Sequence, residues 1–264
     1  MKDAIGTRMK EFYEDKTRYF LPRRTYTIIR VDGKAFHSYT KGLVRPFDDS
    51  LMNDMDSVAL YMCENIQGAK FAFVQSDEIS ILLTDFDDVS TSAWFDGNIQ
   101  KMCSVSASLA TSKFNYLRVE KIAHFDSRVF TIPSKTEVEN YFIWRQQDTV
   151  RNSIQSVAQS LYSDKELHLK DGNEMQEMIF QKGINWNDYA PRYKRGRMIT
   201  KIDGKKFLCV VSDIERVNQI KKSNPDWYAE GTDFGIRIKT WQIIEVPTFT
   251  QERNFLSDKI PANT

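Results

Sequence analysis

The 264-residue sequence carries almost no net charge: 37 Lys plus Arg stand against 36 Asp plus Glu, a formal +1. That balance excludes a polybasic tail protein that would hold its partner by bulk charge. Cysteine is scarce as well. Cys63, Cys103 and Cys209 lie far apart, with no Cys-x-x-Cys pair and no neighbouring pair of histidines. Zinc and disulfide frameworks are therefore without support, and buried thiols in a reducing compartment are expected. No uncharged stretch approaches the roughly 20 apolar residues of a membrane-crossing helix, so no membrane association is expected. Near the N-terminus Lys2, Asp3, Arg8, Lys10 and Glu11 mix both signs of charge around no apolar block. Neither a secretory signal nor a transit peptide is expected there, and the expected location is the cytoplasm. Internal repeats and low-complexity tracts are missing too.

What is there is a core. With 41% hydrophobic and 12% aromatic residues the chain has the composition of a folded protein, and its length suits one domain with an appendage. Residues 25–31 form a β-branched and aromatic run that stops at Asp32-Gly33, which reads as a buried strand ending in a turn. Asp48 can cap a helix whose apolar positions Leu51, Met55, Val58, Met62 and Ile66 recur every three or four residues. Residues 70–75 and 79–84 read as a tight hairpin around Ser76-Asp77-Glu78, residues 98–117 as a second helix, and residues 125–132 as a fourth strand. The order β-α-β-β-α-β belongs to the ferredoxin-like split βαβ arrangement, an α+β fold with an antiparallel sheet and helices on one face. Ser134 and Glu137 make a capping-box pattern that opens a long helix reaching about residue 163, expected to leave the compact unit. The expected division is a catalytic domain at 1–134 and an appendage at 135–264. In the appendage, residues 198–246 read as short strands broken at Asp203-Gly204 and Asn224-Pro225, and residues 247–264 as a weakly ordered tail.

Asp32 and Asp77 each lie at a strand margin, and the split βαβ topology makes those strands neighbours, so the two carboxylates are expected to converge. Converging carboxylates repel, and the usual compensation is a hard divalent cation such as Mg²⁺ held together with substrate phosphates. Phosphate chemistry is the natural inference, and Gly33 would let a main-chain carbonyl approach a ligand closely.

The blocks Arg30-Val-Asp-Gly-Lys-Ala-Phe-His37, Arg45-Pro-Phe-Asp48, Gln75-Ser-Asp-Glu78, Phe125-Asp-Ser-Arg128 and Trp144-Arg-Gln-Gln-Asp148 occur in an order that resembles the tRNA-His guanylyltransferase family. The resemblance implies a polymerase-like palm, two Mg²⁺ ions, ATP and GTP or other nucleoside triphosphates as substrates, and nucleotide addition to the 5′ end of tRNA. By resemblance Asp32 and Asp77 bind metal and carry catalysis, Gly33 ligates metal through its carbonyl, and Glu78 assists. Lys34, His37, Arg45, Ser76 and Arg128 match positions around the nucleotide triphosphate, and Phe36 is a candidate for stacking on its base. A homo-oligomer, tetrameric in the family, is implied as well.

Eukaryotic members continue the Trp-Arg-Gln-x-Asp block with His-Ile-Asn-Asn, whereas this chain has Val150 at the histidine position. It is therefore closer to the guanylyltransferase-like branch, which repairs 5′-truncated tRNA by template-directed addition. From residue 191 to 206 seven cations, among them Arg192, Lys194, Arg195 and Arg197, face the single Asp203. Such a cluster is an electrostatic footprint for tRNA, with Trp186 and Tyr193 as possible base-stacking partners. Three other readings stay open: addition of a single guanosine to tRNA-His, a palm-type nucleotide cyclase, and a noncatalytic RNA-binding protein.

Overall fold

The computed structural model describes residues 4–210, 226–230 and 233–263. The chain divides into two compact units, Met1–Ile199 with Ile243–Thr264, and Thr200–Gln242.

The first unit is built on four strands, β1 (Tyr26–Gly33), β2 (Ala69–Gln75), β3 (Glu78–Leu83) and β4 (Phe125–Ile132), in the order β4-β1-β3-β2. All three pairings are antiparallel. Because β3 lies between β1 and β2, this is the split βαβ arrangement expected from the order of elements. The N-terminal helix α1 (Ala4–Met9) precedes the sheet, and one turn, α2 (Phe36–Tyr39), follows β1. Helix α3 (Asp49–Asn65) starts where Asp48 Oδ1 accepts the Leu51 N–H at 2.8 Å. Helix α4 (Ile99–Leu117) starts at Asn98, whose Oδ1 accepts the Lys101 N–H at 3.0 Å. Each cap satisfies one of the N–H groups that a helix start leaves orphaned.

Two expectations are corrected. Helix α5 (Lys135–Leu161) does not leave the unit, and the sheet is covered on both faces, not one. Side chains alternate across a strand: Ile29, Val31, Ala72, Val74 and Ile81 are buried on the face that α3 and α4 cover. Tyr26, Ile28, Phe71, Phe73 and Leu82 point the other way and pack with Val138, Tyr141 and Phe142 of α5. The physical reason is that both faces of these strands are apolar, and exposing either would cost about 25 cal/mol per Å². The unit therefore continues through Ile199 and does not end at residue 134.

The C-terminal segment is also part of this core rather than a loose tail. Phe249, Leu256 and Ile260 are buried in the α5 cluster, the last two in and after the turn of helix Arg253–Ser257. Gln146 on α5 accepts the Phe249 N–H at 2.8 Å and donates to the Pro247 carbonyl at 2.8 Å. After α5, α6 (Asp164–Leu167) and α7 (Gly172–Gln181) close a satellite cluster with Ile154, Val157, Ala158 and Ile179 at its centre.

In the second unit β6 (Trp227–Glu230) pairs antiparallel with β7 (Asp233–Glu245). Strand β5 (Arg197–Val210) runs through Asp203-Gly204 without the expected break. The break expected at Asn224-Pro225 lies outside the described residues.

Candidate active site

The face of the sheet under α5 changes character along the strands. Past the apolar stretch, the same alternation that aims Tyr26 and Ile28 at α5 aims Arg30 and Asp32 there, and on β3 Glu78 and Ser80 follow Leu82. Asp32 stands opposite Glu78 on one side and opposite Asp126 on the other. Asp77 sits in the two-residue connection between β2 and β3, where Ser76 takes a φ of 45°. Burial, and then the charge of Asp32, push the Asp77 carboxyl up to about 6. Burial also raises Asp32, with Asp126 adding to the effect and Arg128, Arg30 and Arg145 opposing it. Adjacent antiparallel strands thus bring both carboxylates to the same end of the sheet, where the charge of Asp32 disfavours ionisation of Asp77.

Arg145 carries a role that the sequence alone leaves open. It is buried, and its Nε and Nη2 donate to the two carboxylate oxygens of Glu78, each at 2.8 Å. Its Nη2 also reaches Asp148 at 2.8 Å, and Asp148 is held in turn by Arg151. Thr149 donates to the Gln75 side chain at 2.7 Å, tying the same helix turn to the end of β2. The signal was present as the Trp-Arg-Gln-Gln-Asp block, whose arginine and aspartate share a helix face. Glu78 is spoken for by a two-pronged clamp, which fixes the strand end that presents Asp77. Arg145→Lys replaces a planar fork with a point charge. It is expected to slow the nucleotide addition that the resemblance implies by about tenfold or more, a loss equal to about one charged hydrogen bond, with the circular dichroism spectrum unchanged; activity within twofold of wild type would remove the clamp from the mechanism.

A cleft of about 270 Å³ opens beside this cluster. His37, Arg45 and Ser76 line it together, with Phe47, Gln75, Asn152 and Arg192. Three of the residues expected around a triphosphate thus share one wall system. Lys34 and Arg128 do not line the cleft: Lys34 is exposed in the turn after β1, and Arg128 is exposed on β4, the outer strand.

Five further residues are placed otherwise than expected. Phe36 is 5% exposed and stacks on Tyr39, with ring centroids 4.8 Å apart, among Phe114 and Phe125. It belongs to the core and does not face a base. A Cβ at residue 33 would overlap the Phe36 ring, so glycine is required there by packing as well. Arg197 is 3% exposed, its Nε donating to Asp56 at 2.6 Å. Lys194 is buried, donates to the Asn187 carbonyl and lies over the Trp186 ring. Trp186 donates to Ser153, and Tyr193 stacks on Phe47 and donates to Asp49. The basic run is therefore no open strip: it is divided between the two units, and Arg192 and Arg195 are its half-exposed members in the first.

Among the described residues no group of three His, Cys, Asp or Glu could hold a metal ion by itself. The donors at the sheet end are the hard oxygens of Asp32 and Asp77, and their mutual repulsion is what a divalent cation would relieve. Two carboxylates suit Mg²⁺, which leaves its other positions to water, main-chain oxygen and substrate phosphate. No helix among the described residues is long and apolar enough to cross a membrane.

An α+β sheet whose end gathers acidic residues beside a cleft lined with cations and hydroxyls has the parts that a phosphoryl transfer uses. The family model for tRNAHis guanylyltransferase matches residues 6–133. A bacterial tRNA(His) guanylyltransferase-like protein in complex with ATP is 38% identical, covering 97% of this chain and 99% of its own, with a TM-score of 0.78. The same figures for a bacterial complex with GTP are 38%, 97% and 99%, with a TM-score of 0.76. The tRNA(His) guanylyltransferase of Saccharomyces cerevisiae is 25% identical over 73% of this chain and 89% of its own. This chain belongs to the tRNA-His guanylyltransferase family, whose members are nucleotidyltransferases that act in tRNA processing.

Proposed function

We propose that this protein repairs the 5′ end of truncated tRNA by adding nucleotides in the 3′-to-5′ direction, each chosen by pairing with the opposite strand of the acceptor stem. The observation that carries the chemistry is that adjacent strands bring Asp32 and the β2–β3 connection holding Asp77 to one end of the sheet, beside a cleft lined by His37, Arg45 and Ser76. Two features support repair over single-guanosine addition. Val150 replaces the histidine of the eukaryotic block and packs into the satellite cluster of α5 and α7 rather than lining the cleft. The similarity to the bacterial guanylyltransferase-like protein also runs through 97% of the chain.

Growth at a 5′ end places the activating group on the RNA. In the reading by family resemblance, the RNA 5′-phosphate oxygen attacks the α-phosphorus of ATP and pyrophosphate leaves. The 3′-hydroxyl of the incoming nucleotide then attacks the activated 5′ phosphorus, AMP leaves, and the new end carries a triphosphate. No protein nucleophile is required. Asp32, Asp77 and the Gly33 carbonyl would hold Mg²⁺, and His37, Arg45 and Ser76 would contact phosphate oxygens that it leaves uncovered. Bound Mg²⁺ would lower the pKa of the attacking hydroxyl and offset charge on the leaving group. The polymerase-like palm and a tetrameric assembly belong to the same reading.

The test supplies 5′-labelled tRNAs, full-length and lacking one 5′ nucleotide, with each nucleoside triphosphate in turn. Filling of the gap by whichever base pairs with the opposite strand is expected. Guanosine-only addition to full-length tRNA-His would select the other family activity.

A further inference from the structure

A transfer between a nucleotide and an RNA end requires two phosphates to reach Asp32 and Asp77 from different directions. The cleft lies on the side of β2 and accounts for one approach. Strand β4 lies at the other end of the order β4-β1-β3-β2, and the opposite flank of the carboxylates has its own features. Trp144 on α5 is 47% exposed although its neighbours Tyr141 and Arg145 are buried. Its ring has the Arg145 guanidinium at 4.4 Å and the Arg30 guanidinium at 6.0 Å. Arg30 Nε is buried without a hydrogen-bond partner, one of two such side-chain atoms among the described residues. Directly across from Arg30 on β4 stands Arg128, more than half exposed and 3.8 Å from an equally exposed Asp126. Arg30 lies two residues before Asp32 on the same face of β1, and Arg128 stands across from Arg30 as Asp126 stands across from Asp32, so this flank adjoins the reacting centre.

Resting on the nucleotidyltransferase reading of the same site, we infer that this flank receives the 5′-terminal nucleotide of the RNA, with Trp144 stacking on its base and Arg128 with Arg30 holding its 5′ phosphate. The chemistry is complementary in both parts. A guanidinium pair spaced across adjacent strands, with one donor unused, suits a phosphate dianion. An exposed indole backed by cations suits the open face of a terminal base, whatever its identity, as a repair enzyme that meets every acceptor end requires. This assigns Arg128 to the RNA end rather than to the triphosphate.

The experiment measures equilibrium binding of the full-length protein to one truncated tRNA carrying either a 5′ phosphate or a 5′ hydroxyl, and separately to ATP without RNA. Wild type is expected to prefer the phosphorylated end, and Arg128→Gln to reduce that preference by about tenfold, the loss of one charged hydrogen bond. Trp144→Ala is expected to weaken both RNAs by about tenfold, with Trp144→Phe keeping most of the affinity and ATP binding at its wild-type value throughout. Loss of ATP affinity with RNA binding intact would hand this flank to the nucleotide and overturn the inference, as would unchanged RNA binding in both variants. None of these readouts involves nucleotide addition, so a failure of template-directed repair would leave them as they are.

Discussion

Asp77→Asn is expected to abolish 5′ nucleotide addition while making the protein more stable at neutral pH. The two effects share one cause. Asp77 is held at about 6, chiefly by burial and then by Asp32, so at pH 7.5 the folded chain carries an ionised carboxylate that is less favourable there than in the unfolded chain. As pH falls through 6 the folded state takes up a proton that the unfolded chain does not accept until about 4. Folded-state proton binding exceeds that of the unfolded chain in this window, and stability therefore rises on acidification from 7 to 5 and is lost as pH climbs through 6. A displacement of about two pKa units corresponds to about 3 kcal/mol, and Asn, which never ionises, should recover much of it at pH 7.5. Activity moves the other way: loss of a metal ligand removes several kcal/mol of transition-state stabilisation, a fall exceeding roughly 100-fold at about 1.4 kcal/mol per tenfold. Asp32→Ala should do the same to the rate. Thermal melts from pH 5 to 8 and single-turnover addition check both halves. Mg²⁺ should raise the melting temperature of wild type and not of Asp77→Asn, since a ligand stabilises only a fold that binds it. A variant that still adds nucleotides, or a melting profile with the opposite pH slope, would remove Asp77 from the centre.

How far the sequence speaks depends on whether a feature is local. Strand and helix positions were legible because each rests on periodicity and a cap within a few residues, as with Asp48 before α3 and Ser134 before α5. The adjacency of the strands that carry Asp32 and lead into Asp77 was legible because the β-α-β-β-α-β order admits few sheet topologies. The coverage of the second sheet face went unread, yet it had a signal: Phe71-Ala-Phe-Val74 and Ile81-Leu-Leu83 are continuous apolar runs, which a one-sided antiparallel sheet would interrupt with polar residues. The C-terminal segment had little: Phe249, Leu256 and Ile260 are too few to declare a periodic face around the short helix Arg253–Ser257, and they become core only through Gln146 and the α5 face. Phe36 shows the limit of a motif. The block placed it beside the metal glycine, but the direction of its ring is set by Phe114 and Phe125, which no local pattern connects to it.

Charge counting fails for the same reason, and Arg197 gives the second large effect. Read along the chain, it belongs to a basic run; in the fold it meets Asp56, 141 residues away, with both side chains no more than 5% exposed. Burial lowers the pKa of Arg197 and raises that of Asp56, and each opposes the shift of the other. A buried pair of this kind is worth little against an apolar pair of equal volume, but breaking it strands a charge at a cost of about 3–5 kcal/mol. Asp56→Ala should therefore cost that much in urea unfolding, a large fraction of the about 5–15 kcal/mol that holds a typical domain together. Arg197→Met, which leaves a carboxyl free to protonate, should cost less, and the double variant Asp56→Leu with Arg197→Met should recover most of the loss. Refolded Arg197→Met protein is expected to bind tRNA with its wild-type salt dependence, because a cation that never faces solvent releases no counterions from RNA. Charge reversal at Arg195, half-exposed two residues earlier, should instead flatten that dependence, and the contrast between the two positions separates a cation that holds the fold from one that meets the phosphate backbone.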